Sequence, residues 1–149
     1  RLNTGFTGSA TPIASNWEQV DLSARLQGHL GSSMTESSGV FTFPSTGFYL
    51  VGFKANYALN DNDRSINNYI YTTTDNSNWY NTAYSTVFIQ QTDSNWTGAS
   101  GYTEALVDVQ DVSNDKVRFR VATVNASTQT QGNTNESLTS ATFIRLGDT

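Results

Sequence analysis

Gly39-Val40-Phe41-Thr42-Phe43-Pro44-Ser45-Thr46-Gly47-Phe48-Tyr49-Leu50-Val51-Gly52-Phe53-Lys54-Ala55-Asn56-Tyr57 is the stretch on which the fold turns. From Phe48 onward it alternates. Tyr49, Val51, Phe53, Ala55 and Tyr57 share one face, and Phe48, Leu50, Gly52, Lys54 and Asn56 the other. A period of two is the repeat of an extended strand. Just upstream, Pro44 cannot donate to a ladder and so ends the short strand before it. Gly47 supplies the turn, and the aromatic pair Phe48-Tyr49 is expected to enter the core.

The same alternation recurs further along. Lys116 to Val124 places Val117, Phe119, Val121 and Thr123 opposite Arg118 and Arg120. Tyr102 to Val109 sets Ala105, Val107 and Val109 against Glu104 and Asp108, with Leu106 the apolar exception on the acidic face. Thr139 to Leu146 sets Thr142, Ile144 and Leu146 against Phe143 and Arg145. Helical periodicity is hard to find anywhere. Turn-forming residues fall between the runs at Gly28 to Gly39, Pro44 to Gly47, Asn60 to Asp63, Asp75 to Asn78, Thr92 to Gly101, Asp111 to Asp115 and Asn125 to Asn135. The pattern predicts an all-β domain, a jelly-roll sandwich of about eight to ten strands, over residues 1–149. Residues 1–16 read as an extended N-terminal arm.

Composition agrees and removes several functions. Of 149 residues, 15 are Asn, 17 Ser and 21 Thr, while 36% are hydrophobic and 14% charged. Evenly spaced aliphatics and 12% aromatics argue against a disordered tract. No apolar run approaches the length of a spanning helix, and Arg1 to Leu30 lacks the basic and apolar regions of a secretory signal. The chain opens on Arg1, as expected of a processed chain or a segment of a longer one. Net charge is −5 and the basic residues are scattered, so nucleic acid and membrane are not expected partners. The absence of Cys removes disulfides, thiolate zinc sites and a cysteine nucleophile.

Three Ser-Asn-Trp segments end at Trp17, Trp79 and Trp96. One reading is a reused turn, with Asp and Asn side chains bonding their own backbone and Trp opening the next strand. The other is a recognition surface of indoles in a polar rim, with Asn78, Trp79, Tyr80, Asn95 and Trp96 as the contact residues. His29, the one histidine, stands in a turn segment far from any nucleophile motif, so no catalytic residue is assigned. Thirteen acids offer too many pairs to point to a glycosidase cleft. Asp61-Asn62-Asp63 suggests clustered oxygen ligands, but the twelve-residue calcium-loop pattern fails at Ile66 and Thr72. No cofactor or metal site is assigned. Three glycosylation sequons, at Asn95, Asn125 and Asn135, are no more than this composition produces by chance.

From Gly39 onward the sequence resembles the complement C1q and tumour necrosis factor jelly-roll superfamily. Gly39 to Val51 carries the strand–Pro–turn–Gly-aromatic-Tyr order, and Leu106 to Phe119 resembles a family hairpin with an acidic-polar turn. That turn has Ser113-Asn114-Asp115 where the family usually carries Gly. Ser137 to Leu146 resembles the closing strand, which makes Trp17 to Leu26 the expected opening strand. The resemblance implies a homotrimer, with Tyr49, Val51, Phe53, Tyr57 and Phe143 as a core or trimer face. It leaves a nonstandard calcium site near Asp61 and Asp63 open. It also implies a non-enzymatic protein of the virion surface, a capsid decoration (cement) protein or tail-fibre tip of a bacteriophage. Its partners would be itself, a major capsid protein or fibre shaft, and a host-surface glycan or protein. The alternative is a secreted or cell-surface recognition module in the extracellular space, binding carbohydrate or protein through the Trp and Tyr loops.

Overall fold

A computed structural model describes all residues, Arg1–Thr149. Ten strands, β1 (Thr4–Thr7), β2 (Thr35–Ser37), β3 (Val40–Thr42), β4 (Gly47–Leu59), β5 (Asp63–Thr73), β6 (Tyr80–Ile89), β7 (Thr97–Val109), β8 (Lys116–Thr123), β9 (Gln129–Asn133) and β10 (Ser140–Gly147), form two antiparallel five-stranded sheets. The second sheet has the order β2-β3-β8-β5-β6. The first is built on β4. Its whole length pairs with β7 along one edge, while β10 and β9 share the other edge, from Phe48 to Lys54 and at Tyr57 and Ala58. β1 closes this sheet against β9.

The alternation of β4 sorts its side chains as the pleat requires. Tyr49, Val51, Phe53, Ala55 and Tyr57 are buried between the sheets, where Phe53 lies 4.8 Å from Phe119 between ring centroids. Phe143 packs against the same core, 5.4 Å from Phe41. Of the residues expected to form a core or trimer face, Tyr49, Val51, Phe53 and Tyr57 are buried between the sheets and Phe143 is half-buried beside them. Of the pair expected to enter it together, Tyr49 does and Phe48 faces outward, because neighbours in a strand point to opposite sides. Gly47 has φ +136, and an added Cβ would collide with the Gly147 carbonyl oxygen, so this turn admits glycine alone.

Three expectations are corrected. Trp17 to Leu26 is not the opening strand: Trp17 makes one bridge to Leu2, and a 3₁₀ turn follows at Ser23–Arg25. Strand order there begins with β1, and Trp17 packs edge-on against Phe41 at 5.2 Å. Leu106 to Phe119 is not a hairpin, since β7 pairs with β4 in one sheet and β8 with β3 and β5 in the other. Asp111 to Asp115 is instead an arch between sheets. It needs no glycine because the Asp115 carboxylate accepts the Gln110 and Asp111 amides at 2.7 and 2.8 Å. Asn125 to Asn135 is not wholly a loop, because it contains β9. Residues 1–16 run extended but not free, with Leu2 buried and β1 hydrogen-bonded into the first sheet.

Candidate contact surfaces

The two Ser-Asn-Trp loops lie at opposite ends of β6. Trp79 immediately precedes Tyr80, where β6 begins, and Trp96 immediately precedes β7, beyond the end of β6 at Ile89. Asn78, Trp79 and Tyr80 therefore belong to one surface, and Asn95 and Trp96 to another. Both loops are organised by an aspartate: Asp75 accepts the Ser77 and Asn78 amides at 2.9 and 2.7 Å, and Asp93 accepts the Asn95 amide at 2.7 Å. Hydrogen bonds from the Asn78 side chain and from the Asn78 and Ser77 backbone hold the Asp75 carboxyl well below its ordinary pKa. Trp96 is 57% exposed. Trp79 is half-buried, with the Arg118 guanidinium 4.2 Å above its ring.

Around Trp79 the outer face of the second sheet is aromatic and cationic. Register places Tyr84, Tyr69 and Arg120 in one row across β6, β5 and β8, and Tyr71 beside Arg118 in the next. Tyr69 and Tyr84 are stacked at 5.4 Å, and Arg120 lies 4.8 Å from the Tyr69 ring. Arg118 lies 5.5 Å from the Tyr71 ring, and Arg120 Nη1 donates to the Tyr71 hydroxyl at 3.1 Å. Cation–π contacts of this kind hold a guanidinium by its faces. Burial lowers the Arg118 pKa from its ordinary value. Neither arginine belongs to one of the ion pairs, which join Arg1 to Glu18, Arg25 to Glu136 and Arg145 to Asp148.

The outer face of the first sheet is different. Leu50 stands in register with Leu106 on β7 and Ile144 on β10, with Phe48 and Leu146 beside them. Leu106, Ile144 and Leu146 are 62%, 48% and 60% exposed. Further along β4 the face turns polar, with Lys54 opposite Tyr102 and the Ser100 hydroxyl bonded to Asn56 at 2.9 Å. The apolar end is thus a contiguous strip on a sheet face, the arrangement that marks a contact surface.

Of the two places considered for chemistry, the aspartate holds a loop together. Asp63 is buried, and its carboxylate accepts Ser65, Val124 and Asn125 amides and the Thr128 hydroxyl. Those donors occupy the lone pairs that a cation would need. His29 is exposed at the rim of a cleft of about 550 Å³ lined by Trp17, Met34, Phe41, Tyr49 and Phe143. Sequence reading had found Arg118 and Arg120 on one strand face. It missed Tyr69, Tyr71 and Tyr84, whose alternation on β5 and β6 was the available signal, and it could not supply the register that joins them.

No family model and no curated protein matches the sequence. Among 63 matching chains of solved structures, the structure of Eiger TNF from S. frugiperda superposes with a TM-score of 0.65 at 15% identity. The match spans 99% of this chain and 94% of that one. The likeness is one of fold: an all-β sandwich of two antiparallel sheets, the TNF-like jelly roll.

Proposed function

We propose that the chain is a non-enzymatic homotrimeric module acting by surface contact, and that it serves on the exterior of a virion as a capsid decoration protein or fibre tip. The carrying observation is the strip of Leu50, Leu106, Ile144 and Leu146, which leaves apolar side chains facing water on an otherwise polar chain. A second copy would bury them. The TNF-like fold supports a threefold arrangement, and the Asn, Ser and Thr-rich, Cys-free composition supports an exposed shell role. Native mass measurement tests the assembly. The expected species is about 49 kDa, three times the 16.3 kDa chain, and Leu106→Glu should return it to a folded monomer. A wild-type monomer at micromolar concentration rules the trimer out. Locating the protein by labelling on purified particles tests the virion role.

A second reading, a secreted or cell-surface recognition module, is favoured by a separate observation. The aromatic and arginine face of the second sheet lies on the opposite side of the sandwich from the apolar strip, so both could be used at once.

A further inference from the structure

We infer that the outer face of β5, β6 and β8 is a binding site for a carboxylated glycan, a chain of sugar rings bearing uronate-type or sialate-type carboxylates. The inference rests on the recognition reading and is independent of the trimer. Four observations carry it. First, Arg118 and Arg120 are two cations without an acidic partner, on a chain of net charge −5. Second, aromatic rings hold each guanidinium by its face, at 4.2 Å for Arg118 on Trp79 and 4.8 Å for Arg120 on Tyr69. Both Nε atoms are buried and Arg120 Nη1 is taken by the Tyr71 hydroxyl, so the remaining Nη groups are what the pair offers to a carboxylate. Third, Tyr84, 59% exposed and stacked on Tyr69, continues the ring surface outward. Amphipathic rings of this kind can cover the C–H face of a sugar, while Asn81, in register with Tyr71, offers a polar group to its hydroxyls. Fourth, β5 and β8, which carry both arginines with Tyr69 and Tyr71, are paired along both edges, so a ligand over them meets side chains. On this face strand addition is open only at β6, where the peptide comparison reports it.

The balance of charge selects among anions. A polyanion charged at every residue, such as nucleic acid, meets only two cations here and the repulsion of the whole chain. A glycan with sparse carboxylates and mostly neutral rings matches the ratio of arginines to aromatics on the face.

The test uses the full chain and two immobilised sparsely carboxylated glycans, a polygalacturonate with most of its carboxyls methyl-esterified and a neutral glycan chain capped by sialate. The fully methyl-esterified polygalacturonate, heparin, single-stranded DNA and a polyglutamate peptide serve as comparisons. The expected result is binding to one or both carboxylated glycans at least tenfold tighter than to the ester, heparin, DNA or peptide. Arg118→Gln and Arg120→Gln should each weaken it about tenfold or more, and Arg118→Lys should not restore it. Tyr84→Ala, at an exposed position that folding tolerates, should weaken it severalfold, and Trp96→Ala at the other end should leave it unchanged. Equal binding to the ester, or equal or tighter binding to heparin, DNA or peptide, overturns the glycan assignment. If that binding is still lost in Tyr84→Ala, the recognition reading survives it. Carboxylated-glycan binding that persists in both arginine variants and in Tyr84→Ala overturns the site. No binding to any probe overturns the inference and counts against the recognition reading as well. Native mass on the same samples reports the trimer separately.

Discussion

Asp63 grips Thr128: the buried carboxylate Oδ2 accepts the threonine hydroxyl at 2.6 Å, tying the start of β5 to the loop between β8 and β9. The same carboxylate takes the Asn125 amide at 3.1 Å and the Ser65 and Val124 amides at 3.2 and 3.3 Å. Asp63→Asn puts an NH₂ group where donors converge, and should cost about 1–3 kcal/mol in urea unfolding. Calcium or a chelator should leave the wild-type melting temperature unchanged. A calcium-dependent rise would restore the cation reading of Asp61 and Asp63.

Gly101 makes room for a second buried polar group. An added Cβ there would collide with the Asn68 carboxamide oxygen, which accepts the Ser85 hydroxyl at 2.8 Å. Gly101→Ala should destabilise by about 1–3 kcal/mol, since the displaced amide loses its partner inside the sandwich. The double variant Gly101→Ala/Asn68→Ala should be less destabilised than the sum of the singles. Strict additivity would show that the two do not compete for space.

At Gly47 the left-handed backbone and the Gly147 carbonyl both oppose a side chain, whereas Gly28 faces open space. Gly47→Val should sharply reduce the yield of folded protein, and Gly28→Val should not. Gly132→Val should also reduce that yield, because Gly132 lies within β9 and a Cβ there would strike the Thr4 and Gly5 backbone.

How far such positions were legible in the sequence follows from what each depends on. Tyr49 and Phe53 were readable as one face of a strand because alternation is local. Leu106 broke the pattern of its face, and the reason is now plain: with Ile144 it flanks Leu50 on a common outer surface. Register is non-local, so neither strand could announce it. Trp17 misled because an aromatic after Ser-Asn reads like the start of a strand, whereas its indole Nε1 donates to the Ile13 carbonyl at 2.8 Å and the chain then turns away. The pairing of β7 and β8 was misjudged because a short acidic turn serves an arch between sheets as well as a hairpin.

The two loop tryptophans should now behave differently. Trp96→Ala, at an exposed site, should change the melting temperature little, while Trp79→Ala uncovers the Arg118 guanidinium and should lower it by a few degrees. Thermal denaturation of the pair decides this, and equal losses would place Trp96 in a structural role.

Acid should weaken the fold partly through Asp75 and Asp111. The Asn78 side chain leads the causes that depress the first, and the Ser113 amide those that depress the second. A carboxyl depressed in the folded state binds its proton more readily when unfolded. Its stabilisation is therefore complete above the ordinary carboxylate value of about 4 and is lost as pH falls toward the depressed one. Denaturant midpoints measured downward from pH 5 should fall, and Asp75→Asn should fall less steeply. Parallel slopes would remove Asp75 from the acid response.

The shared edge of β4 bears on how the chain must be made. During synthesis, β7 can zip along one side of β4 as soon as residue 109 has emerged, but the opposite side waits for β9 and β10. Until about residue 147 clears the ribosome, a long apolar strand presents unpaired N–H and C=O groups to every neighbouring nascent chain. Ribosomes crowded on one message would bring such edges together, so soluble yield should depend on translation spacing more than on the stability of the finished sandwich.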